Sequence, residues 1–349
     1  MGRLTRPARL ARNAAFLLGL LPLQATAAVA AEPVTTYRIE ATTGNFPTLS
    51  WPREMLMDLD LELTLTAPVA SPAKPEASHA IPAAMAMRSP LSLENTSGCK
   101  PGECGSQESR QAVEQMRSKR VLLYWGCEAK ADAGQPQTLE QGKNPLLQRI
   151  EEEQGQDTAQ PAARSTTSTA WRPNREATGG FLLLGMDDEL RSLPLKASLV
   201  GDHLVRSNYS PEIRFSLAKT QDFLGPLTLS ATPTRGATDL SWNRVSGVVG
   251  YLATAIGEKE GEIVIWVSNL GGKTASPADS TAKLESLVGS GGLLGAERSQ
   301  CTISAEATRA LGSAVVSLEG YAGAIQLNPA PGQVVRLERS SKSAAMLDF

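Results

Sequence analysis

Histidine is scarce in this sequence: the 349-residue chain has two, His79 and His203. Cysteine is nearly as rare, with four residues, Cys99, Cys104, Cys127 and Cys301. A zinc site takes four N or S ligands. GCKPGEC supplies one close Cys pair and nothing supplies a second, so a structural metal is disfavoured and no cofactor is implied. Aromatic residues are 5% of the chain, and repeated ten-residue lipid-facing strands are missing. That excludes an outer-membrane barrel, despite the terminal Phe349. Beyond residue 30 no run approaches the roughly 18 apolar residues of a membrane-spanning helix. Catalytic signatures are missing too. There is no G-x-S-x-G elbow, and the two S-x-x-K matches, Ser216 with Lys219 and Ser280 with Lys283, lack the S-D-N and K-T-G elements that accompany such a site. GSGGLLG, Gly289 to Gly295, lacks the Lys-Ser/Thr of a phosphate loop and reads as a helix stop.

What is present begins with an export leader. Arg3, Arg6, Arg9 and Arg12 precede an apolar run from Ala14 to Leu23, and Ala28-Val29-Ala30 gives a small-x-small cleavage signature. Residues 1–30 are expected to be a signal peptide, which makes the product periplasmic or secreted. The whole chain has 34 basic and 36 acidic residues; without the four leader arginines 30 face 36, a net of −6. That balance gives no footprint for nucleic acid. In an oxidising compartment an even Cys count points to disulfides. Three pairings are open. Cys99–Cys104 is favoured by the Pro-Gly turn between them, which leaves Cys127–Cys301 as a long-range bridge.

Along the chain the pattern is β. In LDLELTLT, Leu59, Leu61, Leu63 and Leu65 alternate with Asp60, Glu62, Thr64 and Thr66, a strand with one face inward. TTYRIEAT, RVLLYWGC, GGFLLLGM, Ser198–Val205 and EIRFSLA read as further strands. Residues 67–90 are Ala- and Pro-rich and 131–165 polar; both are expected to be loop or disordered insertions. Glu108–Lys119 and Asn144–Glu153 have helical composition. Residues 31–220 thus form a β-rich domain. From Gly225 the pattern tightens: PLTLSATP, TDLSW, GYLATAIG, GEIVIWVS, CTIS, AVVSLEGYA and QVVRLERS are seven short strands, with a helical insertion near 276–288. Regular spacing and turn signals of this kind predict a β-sandwich over 225–340. The fold class is all-β.

The stretch LSWNRVSGVVGY, with its Trp on one strand and its Tyr opening the next, resembles strands B and C of a fibronectin type III domain, and PLTLSATP resembles strand A. The resemblance implies an immunoglobulin-like sandwich with Trp242 and Tyr251 in its core. LLYWGCE, LVGDHLVRSNYSPEIRFSL, LSWNRVSGVVGY and AAML are also similar to a family of exported proteobacterial proteins, which implies a shared fold and assigns no catalytic residue.

Four groups qualify as candidate sites. Trp171, Arg172 and Arg175 lie together in a polar loop and form a candidate exposed binding anchor, because Trp and Arg are enriched at hot spots. Asp58, Asp60 and Glu62 on one strand face, and Asp187, Asp188 and Glu189 in a loop, are candidate walls of a calcium site or sources of a glycosidase carboxylate; a solvated face explains both more simply. His203 beside Asp202 invites a general-base reading, but adjacent strand residues point to opposite faces, and a locally satisfied His is favoured. The favoured function is a non-catalytic envelope protein, an interaction or structural β-sandwich module with an envelope protein or polysaccharide as partner. The alternatives are a carbohydrate-binding module and, behind it, an extracytoplasmic hydrolase.

Overall fold

A computed structural model describes residues 34–47, 55–96, 120–139, 166–171, 193–269, 275–276 and 278–347. The leader, Trp51, Cys99, Cys104, Arg172, Arg175, Asp187 to Glu189, GGFLLLGM and the two helical stretches at 108–119 and 144–153 lie outside the described residues.

The fold is all-β. In chain order the strands are β1 (Thr35–Pro47), β2 (Met55–Ala67), β3 (Ala77–Ala80), β4 (Leu91–Asn95), β5 (Val121–Trp125), β6 (Gln137–Leu139), β7 (Thr167–Trp171), β8 (Gly201–Ser207) and β9 (Ile213–Leu217). They continue with β10 (Leu229–Thr234), β11 (Ala237–Trp242), β12 (Gly250–Lys259), β13 (Glu262–Val267), β14 (Leu294–Gly295), β15 (Gln300–Ile303), β16 (Ala314–Leu327) and β17 (Gln333–Leu347). Among the described residues two α-helices, α1 (Thr281–Gly289) and α2 (Ala305–Leu311), flank β14 and β15. All but three strands join one mixed sheet in the order β6-β5-β13-β12-β16-β17-β1-β2-β7-β4-β3-β8-β9, with β14 beside β12; β10-β11-β15 form a second sheet.

Alternation builds the first core. Leu59, Leu61, Leu63 and Leu65 of β2 and Tyr37, Ile39 and Ala41 of β1 are buried, while Asp60, Glu62, Thr64 and Thr66 are half-buried on the other face. The half of the sheet from β1 to β9 curls on itself, because Tyr37 of β1 meets Phe215 of β9 with ring centroids 6.1 Å apart. Burying one face of an antiparallel set against itself removes apolar surface from water without a second sheet.

The second core lies between the two sheets. Leu240, Trp242 and Ile303 from the small sheet pack with Tyr251, Ala253, Ala255, Trp266, Val316 and Leu318 of the large one. Trp242 and Tyr251 are both buried, with ring centroids 5.8 Å apart. On the outer side α1 lays Leu284 and Leu287, one helical turn apart, on Leu252 and Tyr321. Ser280 caps α1 by accepting from the Lys283 amide at 3.3 Å. At its other end Gly291 takes a positive φ of 74°, and the Gly292 amide donates to the Leu287 carbonyl at 2.7 Å.

Two features depart from the sequence reading. The segment 67–90, expected as loop, contains β3, which pairs with both β4 and β8. Alanine is a weak strand former and prolines flank the segment, so composition hid a strand that exists through its neighbours. And β5, placed by sequence in the first domain, belongs with the second core: it pairs in parallel with β13 from Ile263↔Val121 to Val267↔Trp125, and on its other edge it carries β6, a strand inside the 131–165 stretch that composition marked as loop. Cys127, just beyond β5, is disulfide-bonded to Cys301 of β15.

Candidate functional site

Both histidines of the chain meet in the first core. In β3, Ala77 and His79 point inward and Ser78 does not; in β8, His203 and Val205 do the same. The register His79↔Val205 makes His203 a diagonal neighbour of His79 on the same face. Tyr37 reaches them from β1. The Tyr37 hydroxyl lies 2.8 Å from His79 Nδ1, His79 Nε2 lies 3.0 Å from His203 Nδ1, and His203 Nε2 lies 2.8 Å from the Leu199 carbonyl oxygen.

The chemistry of the last partner fixes the rest. A carbonyl accepts, so His203 Nε2 carries a proton. In neutral His203, Nδ1 then accepts, so His79 Nε2 donates, His79 Nδ1 accepts, and the Tyr37 hydroxyl donates. Every imidazole nitrogen has a partner in one consistent direction. Phe215 stacks on His203 at 4.7 Å with rings 5° from parallel. Tyr37, His79 and His203 are 0%, 1% and 2% exposed.

Burial keeps the chain uncharged. Desolvation, reinforced by the neighbouring His203, pushes His79 down from 6.5 to about 3. Burial also lowers His203, against the bond to Leu199 and the charge of Asp202, which raise it. Burial raises the Tyr37 phenol well above its ordinary value. At neutral pH this is a string of neutral donors and acceptors, and its chemistry is structural: a fully paired polar network specifies one arrangement of β1, β3 and β8.

The network continues into the connection to the second core. The Leu199 amide donates to Asp222 Oδ1 at 2.7 Å and the Ser198 hydroxyl to Oδ2 at 2.6 Å. Arg339 Nη1 of β17 donates to the carbonyls of Thr220 and Asp222 at 2.8 and 3.2 Å.

The other candidate residues are dispersed. Asp202 does not orient the His203 ring; it accepts from the Ser216 hydroxyl across the β8–β9 pair. Ser216 is thereby a strand-surface donor, and Ser280 a helix cap. Trp171, expected in an exposed loop, instead ends β7 opposite Leu63 of β2 and is half-buried against the first core, because pairing with β2 draws it into the sheet. Trp242 and Trp266 are buried and Trp125 is half-buried. Asp58, Asp60 and Glu62 sit half-buried opposite Gly44, Thr42 and Glu40 of β1. Among the described residues no group of three or more His, Cys, Asp or Glu is placed to hold a metal ion, and no helix is long and apolar enough to cross a membrane. The pairing of His79 with His203 was not anticipated from the sequence. Its one local signal was that each histidine occupies an inward position of a short alternation.

No protein-family model matches the chain, and no curated protein matches it in sequence. Among solved structures it is similar to the zebrafish (Danio rerio) Fcho1 Mu homology domain with a bound Eps15 peptide, at 8% identity and a TM-score of 0.24 over 89% of this chain and 94% of that one.

Proposed function

We propose that the chain is a non-catalytic cell-envelope protein, periplasmic or secreted, that acts as an interaction or structural β-sandwich module. The observation that carries this reading is the commitment of both histidines to an internal, fully paired hydrogen-bond chain. The residue type best suited to general acid–base work at neutral pH is spent on holding strands together. The Cys127–Cys301 disulfide fits an oxidising compartment.

Strand order supports a fibronectin type III-like architecture for the C-terminal part. Taken in chain order, β10, β11 and β15 stand for strands A, B and E, and β13, β12, β16 and β17 for C′, C, F and G. Those sets occupy the two separate sheets, as in such a sandwich. The additions are α1 and α2, and the extension of the large sheet by β5 on one side and β1 on the other. Such sheets serve many functions, and their edges pair with partner chains.

Chemical cross-linking in intact cells, followed by purification of the tagged chain from envelope extract, tests the proposal. A reproducible protein partner is expected. Recovery of nothing above an untagged background overturns it. Polysaccharide retention that vanishes in Trp171→Ala would replace it with the carbohydrate-binding reading.

A further inference from the structure

The hydrogen-bond chain from Tyr37 through His79 and His203 to Leu199 does not stop at the core. Leu199 and Ser198 are held by the carboxylate of Asp222, and the main chain around Asp222 is held by Arg339 of β17. Since β17 pairs with β1, which carries Tyr37, these links form a closed ring around the connection between the two cores. We propose that the two histidines form an acid-sensitive latch: at neutral pH they fasten the segment from Ser198 to Asp222, which carries β8 and β9, to β3 and β1, and mild acidification lets that segment open locally while the second core stays folded.

Geometry says how the latch responds to protons. A first proton on His79 turns Nδ1 into a donor, which obliges the Tyr37 hydroxyl to reverse and accept, leaving its own hydrogen without the partner it had. A second proton places N–H against N–H across the His79–His203 contact and breaks it. Either charge sits where Phe215 and Tyr37 exclude water.

The charged groups around the pair do not offset this. Asp202 raises the His203 proton affinity but points outward to Ser216. On the outer side Glu212 pairs with Arg206 and Arg214, and Glu76 with Lys74 before β3. Arg38 and Glu40 of β1 pair with each other on the opposite sheet face. Asp222 is occupied by Ser198 and Leu199, and Arg339 by the carbonyls of Thr220 and Asp222.

The open form exposes histidines of ordinary affinity, near 6.5, and therefore binds protons that the closed form refuses. Opening is favoured as pH falls below that value. With His79 held down to about 3 when closed, the opening equilibrium rises about 30-fold between pH 7.5 and pH 5 from this residue alone.

Amide hydrogen exchange resolved by residue, corrected for the intrinsic pH dependence of exchange, tests the latch. In the intact protein the protection of the Leu199 and His203 amides is expected to fall at least about 30-fold between pH 7.5 and pH 5, while amides of β12 and β16 hold theirs. His79→Gln with His203→Gln, which keeps donors and acceptors without a titrating ring, is expected to abolish the fall; Tyr37→Phe is expected to retain it. An equal fall in the double variant overturns the proposal, and so does an equal fall throughout both cores. Should the double variant not fold, nitrogen chemical shifts of the two imidazoles in the intact protein carry the test. An imidazolium at either position at pH 5 while the Leu199 and His203 amides keep their protection overturns the latch, because the closed form then holds the proton; rings that stay neutral and protonated at Nε2 as long as those amides are protected, and charge only as protection is lost, support it.

Discussion

Removing the Cys127–Cys301 bridge by Cys127→Ala with Cys301→Ala should destabilise the protein by about 4–5 kcal/mol, chiefly through the unfolded chain. The bridge spans 174 residues, and the chain-entropy relation for a loop of that length gives about 5 kcal/mol at 25 °C. The native position of Cys127 does not depend on the bond. Its neighbourhood is fixed by the parallel β5–β13 pairing, by Trp266 Nε1 donating to the Gly126 carbonyl at 3.0 Å, by the Ala305 amide donating to Ala129 at 3.0 Å, and by the Ala131 amide donating to Glu306 at 3.1 Å. The folded state of the variant should therefore match the parent by near-ultraviolet circular dichroism. The difference should appear in urea unfolding as a lower midpoint together with a larger m-value, because an uncrosslinked chain exposes more surface when it unfolds. A loss under about 1 kcal/mol with an unchanged m-value would refute the reasoning, since it would mean that the unfolded chain gains no freedom from the cut.

Other substitutions separate packing from charge. Trp242→Ala removes a 6%-exposed indole packed at a tilt against Tyr251 and should cost about 3–5 kcal/mol in urea melts; a cost under about 1 kcal/mol would contradict its place between the sheets. Gly257→Ala would drive a methyl group into the Leu311 carbonyl at the end of α2, with an expected loss of about 1–3 kcal/mol, and an unchanged melting temperature would count against that close approach. Glu338, 1% exposed, binds Arg38 at 2.8 Å and Arg336 at 2.7 Å, whose side chains are 37% and 41% exposed. Because solvent reaches both guanidinium groups, Glu338→Leu should cost only about 1–2 kcal/mol, read by the same melts.

Strands with strong two-residue alternation were legible in the sequence. LDLELTLT and EIRFSLA fell where expected, and so did the seven strands from Gly225 onward, because period-two burial is written locally. Of the two described helices of the second half, α1 was legible from its helix-forming composition and the glycines that end it, whereas the seven-residue α2 was not expected. What escaped was long-range. β3 has almost no strand propensity of its own and exists because β4 and β8 flank it. β5 joins β13 through a parallel pairing, which no adjacent turn signals. The histidine pair is the sharpest case. His79 and His203 are separated by 124 positions, and each alone reads as an isolated ring. Only the β3–β8 register brings them together.

The buried hydroxyls of β1 and β17 follow from the same topology. The connection from β9 to β10 must cross the sheet where the first core meets the second, and a chain that crosses there without pairing as a strand leaves carbonyls without partners. Side chains of β1 and β17 meet several of its backbone groups instead. Thr43 donates to Leu224 at 2.7 Å, Ser341 to Gly225 at 2.9 Å and Asn45 to Leu227 at 3.1 Å, while Ser343 accepts from the Leu229 amide at 3.0 Å. Thr43, Ser341 and Ser343 are 2%, 0% and 1% exposed, positions that a strand between two cores would ordinarily give to Val or Ile. Their polarity is the condition for laying one stretch of backbone over another. Apolar replacement of Ser341 would strand the Gly225 carbonyl at a cost of about 1–3 kcal/mol, more than the added methyl groups would return. The polar run RSSKS, Arg339 to Ser343 of β17, is therefore a binding surface whose ligand is the chain's own connection.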